Sequence, residues 1–269
     1  MKVITISSVE GFNKYFKEFK EDALINNNPY IFHIGLDTEY INSSNFQENY
    51  KNIKGQDDST KIKLCTIQIC SKNICLILRV CDMLVLPISF VDILTSSNWI
   101  KTGVGIDLDI YYCLINFQIE SKRPTSYIDL KIFGFLEGEK NPNFENLVSK
   151  NFEKYKKSST SVHDWFLPLN EKTRNYVFED AYYSYVLGKK YIPSYKEDIE
   201  KYPEDIEFIE DTTEENYINR LQEYTVRKFQ KLPNYKKNDK VFVCSIEGHE
   251  ISDTNKNLCS KNLLVKLLE

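Results

Sequence analysis

The sequence predicts an α/β protein with a mixed sheet, on three observations. Short apolar runs alternate along the chain with amphipathic segments, as strands alternate with helices in α/β proteins. Two of these runs, KLCTIQIC at 63–70 and NICLILRV at 73–80, are joined by a turn at 71–73, which indicates an antiparallel hairpin within the sheet. A hydrophobic content of 42% is sufficient for a packed interior.

The individual elements follow from the same patterns. A helix is predicted at 9–24 because Phe12, Phe16 and Phe19 fall on one face, and the apolar run IFHIGLD at 31–37 predicts a buried strand. Beyond the hairpin, the pattern predicts a helix at 87–96, a strand at 99–106, a helix from about Asp107, a strand at 125–129 and helices near 129–137, 143–155 and 170–190.

The chain length of 269 residues favours two domains. Residues 196–214 carry two basic and nine acidic side chains and one proline, a composition typical of an exposed connector. We therefore expect a large domain at 1–195, an acidic linker at 196–214 and a small domain at 215–269. Because the acidity belongs to the linker, a net charge of −4 does not exclude a nucleic-acid partner.

Several classes of protein are disfavoured. No apolar run approaches the ~20 residues that cross a bilayer, and the N-terminus lacks the features of a secretory signal, so we expect an intracellular protein without a membrane partner. The seven cysteines are odd in number and include no CxxC pair, which predicts buried, reduced thiols. The three scattered histidines do not suggest a zinc site.

The first chemically informative block is GLDTEY. Asp37 and Glu39 lie two residues apart at the end of a predicted strand, so the alternation of side chains directs both carboxylates to one face. Two carboxylates placed together repel each other unless a cation such as Mg²⁺ is present. The alternative is that Asp37 caps a turn and Glu39 is solvated.

Two further blocks add acidic residues. In WIKTGVGIDLDIYYCL, Asp107 and Asp109 open a helix, where either could instead act as an N-terminal cap. In DWFLPLNEKTRNYVFEDAYYSYVLG, Tyr176 and Asp180 are four residues apart on one helical face, although such a pair could be a hydrogen-bonded surface pair.

Taken together, the three blocks resemble the motifs of the DEDD superfamily of 3′-5′ exonucleases. GLDTEY is similar to the first motif, KTGVGIDLDIYYCL to the second, and WFLPL followed by YVFEDAY to the third, so the resemblance covers about residues 30 to 190. The nearest members are ribonuclease D and the Werner syndrome exonuclease domain. Tyr176, with Asn175 where the DEDDh subclass has histidine, implies the DEDDy subclass. The resemblance implies a ribonuclease H-like, five-stranded mixed sheet.

The resemblance also implies a site and a reaction. Asp37, Glu39, Asp109 and Asp180 would bind two divalent cations, Mg²⁺ or Mn²⁺, about 3.5 to 4 Å apart, with Asp107 as the alternative to Asp109. Tyr176 would position the attacking water, and the products would be nucleoside 5′-monophosphates. RNA is slightly favoured over DNA as the substrate. The alternative is a catalytically silent relative that serves as a nucleic-acid or protein interaction module.

The C-terminal segment has a separate resemblance. Residues 215–269 predict an α-β-β-β-α order that resembles a double-stranded RNA-binding domain, which would bind duplex RNA by its shape. The family's Gly-Pro-x-His loop is absent. The alternative is an α/β appendage used for packing or dimerisation.

Overall fold

The computed structural model describes residues 1–25, 30–42, 62–83, 85–117, 123–152, 155, 165–191 and 205–211. Its strands are β1 (Lys2–Ile6), β2 (Phe32–Asn42), β3 (Ile62–Cys70), β4 (Ile74–Leu78), β5 (Trp99–Gly103), β6 (Tyr127–Asp129) and β7 (Glu207–Asp211). Its helices are α1 (Val9–Asp22), α2 (Ile88–Thr95), α3 (Ile106–Phe117), α4 (Lys131–Leu136), α5 (Phe144–Asn151) and α6 (Glu171–Tyr191).

The strands form one mixed sheet in the order β6-β5-β2-β3-β4-β1-β7. β3 is antiparallel to both β2 and β4, whereas β2–β5, β5–β6 and β1–β4 are parallel pairs. The α/β class, the mixed sheet and the hairpin at 63–80 are therefore confirmed. β2 lies in the interior of the sheet, and its C-terminal half carries Asp37 and Glu39.

In the part of the chain that the structure describes, the sheet has seven strands, so the expected number of five is wrong. β1 and β7 extend one edge, with β7 parallel to β1. β7 lies inside the segment predicted as a wholly exposed linker, and its acidic residues are compatible with a strand because an edge strand leaves many side chains in solvent. One of them, Asp211, pairs with Lys14 of α1 at 3.0 Å.

Helices cover both faces of the sheet. α1, α2 and α3 pack on one face, where Phe12, Phe90 and Ile110 join the sheet residues Ile34 and Leu36 in a buried cluster. α4, α5 and α6 lie on the other face. The long helix α6 packs on the central strands, and it therefore determines which side chains meet at the end of β2.

α6 approaches the sheet closely because glycine stands at two contact points. A Cβ atom on Gly35 of β2 would collide with the carbonyl oxygen of Ala181 and the backbone nitrogen of Tyr185. A Cβ atom on Gly188 of α6 would lie 2.6 Å from Nε2 of His33. Glycine at both positions lets the helix backbone rest directly on β2.

Other expectations have mixed outcomes. The cysteines among the described residues are buried free thiols, as predicted, namely Cys65, Cys70, Cys75, Cys81 and Cys113. Cys244 and Cys259 lie outside the described residues. Within the described ranges, no helix is both long and apolar enough to cross a membrane. The predicted module at 215–269 lies outside the described residues, and the domain boundaries stay a prediction.

Candidate active site

The site begins with the two carboxylates of β2. The strand enters the core through Ile34, Gly35 and Leu36, which are fully buried, and it becomes half-buried at Asp37 and Glu39. The alternation of side chains places both carboxylates on the sheet face that α6 covers. β2 is therefore anchored by its apolar half and presents two acids where the burial ends.

Asp180 completes a cluster with these two residues. It lies on α6 next to Ala181, the residue whose carbonyl touches Gly35, so the close helix contact brings its carboxylate to the end of β2. One carboxylate oxygen from each of Asp37, Glu39 and Asp180 lies within 4.8 Å of the other two. Asp180 is only 7% exposed. Three of the four predicted metal ligands thus meet in space.

Tyr176 lies beside the cluster, one turn before Asp180 on α6. Burial raises the pKa of its hydroxyl well above the ordinary value of tyrosine, and the negative charges of Asp180, Glu39 and Asp37 raise it further. The Tyr176 ring packs against Trp165, with ring centroids 5.8 Å apart. The phenol therefore stays protonated at neutral pH and can donate a hydrogen bond into the cluster.

Asp109 lies next to the cluster and is not one of its mutually close members. It is buried in the first turn of α3 and accepts a hydrogen bond of 2.6 Å from the Thr38 hydroxyl. Thr38 stands between Asp37 and Glu39 in β2, so Asp109 is held on the α3 side of the same strand. The alternative ligand, Asp107, is less buried than Asp109.

The environment of Asp109 disfavours its charge. Burial raises the pKa of its carboxyl to about 7, the Thr38 hydrogen bond opposes that shift, and the neighbouring Asp107 and Asp129 add to it. Asp129 itself accepts hydrogen bonds from the backbone nitrogens of Gly105 and Lys131, both at 3.0 Å. Its carboxylate therefore contacts the backbone just before α3 and at the first residue of α4, whereas the N-cap position of α4 is Leu130.

The residues present fit a hard divalent cation. The cluster offers only carboxylate oxygens, the donors that Mg²⁺ and Mn²⁺ prefer, and three like charges so close together are costly without a cation. Gln68 is paired with Asp37 across β2 and β3 and is fully buried, yet its Oε1 atom has no hydrogen-bond partner among the described residues. A buried acceptor of this kind calls for a donor, such as a water molecule ordered at the cluster.

The sequence interpretation did not identify Arg79 as a residue near the site. Arg79 follows β4, is 3% exposed, and donates hydrogen bonds to the segment that carries Trp165. Its position inside the apolar run NICLILRV is the one available signal, because a charged residue is buried only when it is paired. Trp165 is 8% exposed and packs against the Tyr176 ring.

His33 is a core residue. Its Nε2 atom lies 2.9 Å from the Thr102 hydroxyl, which has one hydrogen and two carbonyl acceptors nearby, those of Ser184 at 2.9 Å and Ile34 at 3.2 Å. Nε2 is therefore assigned as the donor of a neutral imidazole. Burial lowers the pKa of His33 to about 3, and the positive charge of Lys189 lowers it further.

This burial predicts a pH-dependent stability. Unfolded His33 takes up a proton below its ordinary pKa of 6.5, whereas the folded state does so only near pH 3. The contribution is therefore complete above pH 6.5 and is lost as the pH falls towards 3, at up to about 1.4 kcal/mol per pH unit and about 5 kcal/mol in total. Urea unfolding at several pH values should show a shallower loss in His33→Gln, whose amide can still donate to Thr102. Equal slopes in both proteins would contradict the assignment.

No family model and no curated protein matches this chain. Among solved structures, Brucella melitensis NrnC is 14% identical, with a TM-score of 0.50 over 70% of this chain and 79% of NrnC. Escherichia coli RNase D, an exoribonuclease involved in structured RNA processing, is 18% identical, with a TM-score of 0.51 over 68% of this chain and 42% of RNase D. This chain matches less than half the length of RNase D, and the two share the ribonuclease H-like fold.

Proposed function

We propose that this protein is a metal-dependent 3′-5′ exonuclease. The observation that carries the proposal is the cluster of Asp37, Glu39 and Asp180, with the Tyr176 phenol beside it. A cluster of oxygen ligands could hold a cation that activates water, and a protonated hydroxyl beside it could orient that water for hydrolysis of a phosphodiester. The fold shared with RNase D supports the same reaction class.

Each residue has a separate part in the proposed reaction. Asp37, Glu39 and Asp180 would hold the cation, Mg²⁺ or Mn²⁺, and Asp109 would join them as the fourth ligand for a second cation. Bound there, the cations would lower the pKa of a water molecule and stabilise the charge that develops on the leaving 3′-oxygen. Because the pKa of Tyr176 is raised, its phenol orients this water by donating or accepting a hydrogen bond and does not act as the base.

The proposed substrate is the 3′ end of a nucleic acid, and the products are nucleoside 5′-monophosphates. RNA is slightly favoured over DNA, in line with the activity stated for RNase D. The rival function is an inactive exonuclease-like protein that binds nucleic acid or protein. The close approach of three carboxylates argues against it, because a binding module would gain no stability from their mutual repulsion.

A degradation assay tests the proposal. Matched single- and double-stranded RNA and DNA, labelled at the 5′ end, are incubated with the full chain in Mg²⁺, in Mn²⁺ and in EDTA. A ladder that shortens from the 3′ end in metal and is absent in EDTA is expected, with 5′-monophosphates as products. Degradation that persists in EDTA, or the absence of degradation with every substrate, would contradict the proposed function.

Tyr176→Phe should lower kcat by about 10²-fold with little change in KM, because the ring keeps its packing against Trp165 while the hydroxyl that orients the water is lost. Tyr183→Phe is the matched control on the same helix. The Tyr183 ring packs against Phe152 and Tyr155, so kcat should stay within twofold of the original protein. Single-turnover kinetics measure both variants, and an unchanged kcat in Tyr176→Phe would remove Tyr176 from the mechanism.

The segment at 215–269 is proposed to deliver duplex RNA. If so, a chain that ends after residue 211 should bind duplex RNA more weakly than the full chain, and the difference should shrink as salt rises. Filter binding across a salt series measures this. Equal binding by both chains would favour a role in packing or dimerisation.

A further inference from the structure

Arg79 is the centre of a buried polar junction behind the candidate site. Its Nη1 atom donates to the carbonyl oxygens of Trp165 at 3.2 Å and Leu167 at 2.6 Å, and its Nη2 atom donates to that of Phe166 at 2.8 Å. Its Nε atom donates to Asp82 at 3.2 Å. One side chain therefore binds three consecutive carbonyl groups that lie more than 80 residues away in the sequence.

Both charged groups of the junction are buried, and a buried charge without a partner destabilises the fold. Arg79 is 3% exposed and Asp82 is 7% exposed, so both charges need partners inside the protein. Asp82 and the three carbonyl oxygens stabilise the guanidinium, and the Asp82 carboxylate accepts from Arg79 and, at 3.6 Å, from the Cys81 thiol. Arg79 is also held by its backbone, whose nitrogen donates to the Ile6 carbonyl at 2.7 Å. Arg79 is thus anchored at the end of β4, and its guanidinium holds residues 165–167 in place relative to that strand.

Those residues lead directly to Tyr176. The Trp165 ring lies against the Tyr176 ring, and Asn170, three residues after Leu167, caps the first turn of α6 by accepting from the Thr173 nitrogen at 3.0 Å. Arg79 therefore supports Tyr176 in two ways, through the packing of Trp165 and through the start of the helix. The hydrogen bonds of the Arg79 side chain go to Asp82 and to residues 165–167, outside the carboxylate cluster.

We propose that Arg79 is a positioning residue for Tyr176: by holding the carbonyls of residues 165–167 it fixes the Trp165 ring, and so the direction of the Tyr176 hydroxyl. The inference rests on the proposed nuclease function for its kinetic consequence. Its structural part, the dependence of Trp165 on Arg79, does not require activity. The two parts can therefore fail separately.

The kinetic test is a double-mutant cycle on the full chain. Arg79→Lys keeps the positive charge for Asp82 but cannot reproduce the planar fork that contacts three carbonyls. We expect kcat to fall about 10-fold, with KM within twofold, in the original protein and to fall less than twofold when the same change is made in Tyr176→Phe. Equal falls in both backgrounds, or no fall in either, would overturn the proposal.

A second variant guards against loss of folding. Arg79→Met combined with Asp82→Leu removes both buried charges together, so neither is left unpaired, and replacements of this type often preserve stability. This double variant should show the same dependence on Tyr176 in the cycle. Circular dichroism and the fraction of active protein are measured for every variant, so that kcat refers to folded molecules.

The structural test uses the emission of Trp165. Trp99, the other tryptophan, is replaced by phenylalanine to leave Trp165 as the single reporter. Arg79→Lys should shift the emission to longer wavelength as Trp165 leaves its buried site, whereas Tyr176→Phe should not. An unchanged spectrum in Arg79→Lys would refute the junction even if the protein is an active nuclease. A shifted spectrum without any nuclease activity would support the junction while rejecting the proposed function.

Discussion

Asp180→Asn is expected to reduce exonuclease activity by at least about 10³-fold, which corresponds to about 4 kcal/mol in the activation barrier. Asparagine keeps the size of the side chain but removes the negative charge that would bind the cation, and the remaining carboxylates of Asp37 and Glu39 cannot restore the cluster. Asp37→Asn should have an effect of the same size. Rates of 3′-end shortening in saturating Mg²⁺ measure both losses.

The same variants separate catalysis from folding. Without metal, removal of one of three crowded carboxylates relieves repulsion, so the melting temperature of Asp180→Asn in EDTA should equal or exceed that of the original protein. Added Mn²⁺ should stabilise the original protein and have little effect on the variant.

Glu171→Gln provides the matched control for Asp180→Asn. Glu171 is exposed at the start of the same helix, outside the carboxylate cluster, so its neutralisation should leave both the activity and the metal response unchanged. Activity within tenfold of the original protein in Asp180→Asn would exclude Asp180 as a metal ligand.

Gly35→Ala is expected to destabilise the fold and to abolish activity together. The added methyl group would collide with the backbone of Ala181 and Tyr185, and backbone cannot rotate away as a side chain can. Overpacking of this kind costs about 3 kcal/mol, or roughly 6 to 12 °C in melting temperature for a domain of this size. If α6 moves away instead, Asp180 leaves Asp37 and Glu39, and the cation site opens.

Gly138→Ala is the comparison for a glycine at which a Cβ atom would meet no neighbour. Gly138 has a φ of +86° and nothing within 4 Å of the position a Cβ would take, so the cost is limited to about 1 to 2 kcal/mol of backbone strain. Thermal unfolding and nuclease rates should therefore show a small loss of stability and full activity. A Gly35→Ala protein with unchanged stability and activity would refute the role assigned to the close helix contact.

Much of the fold was readable from local patterns. The helices and the strands from β2 to β6 follow from short apolar runs, from the face shared by Phe12 and Phe19 and from the turn at 71–73, because these signals are contained in neighbouring residues. β1 and β7 were not predicted, since each has only five residues and is stabilised by hydrogen bonds to strands far away in the sequence. The acidic composition of β7 indicated a linker, because the hydrogen bonds that make this segment a strand come from β1, which is far away in the sequence.

In the candidate site, too, some features follow from local sequence and others from contacts between distant segments. The sequence by itself determined the types of residue, the alternation that directs Asp37 and Glu39 to one face, and the helical spacing of Tyr176 and Asp180, all of which depend only on local geometry. Only the tertiary structure decided that Asp180 joins the two β2 carboxylates, that Thr38 holds Asp109 beside them and that Arg79 holds residues 165–167. These contacts connect distant segments through close packing at Gly35 and through buried hydrogen bonds, and neither depends on residues adjacent in the chain.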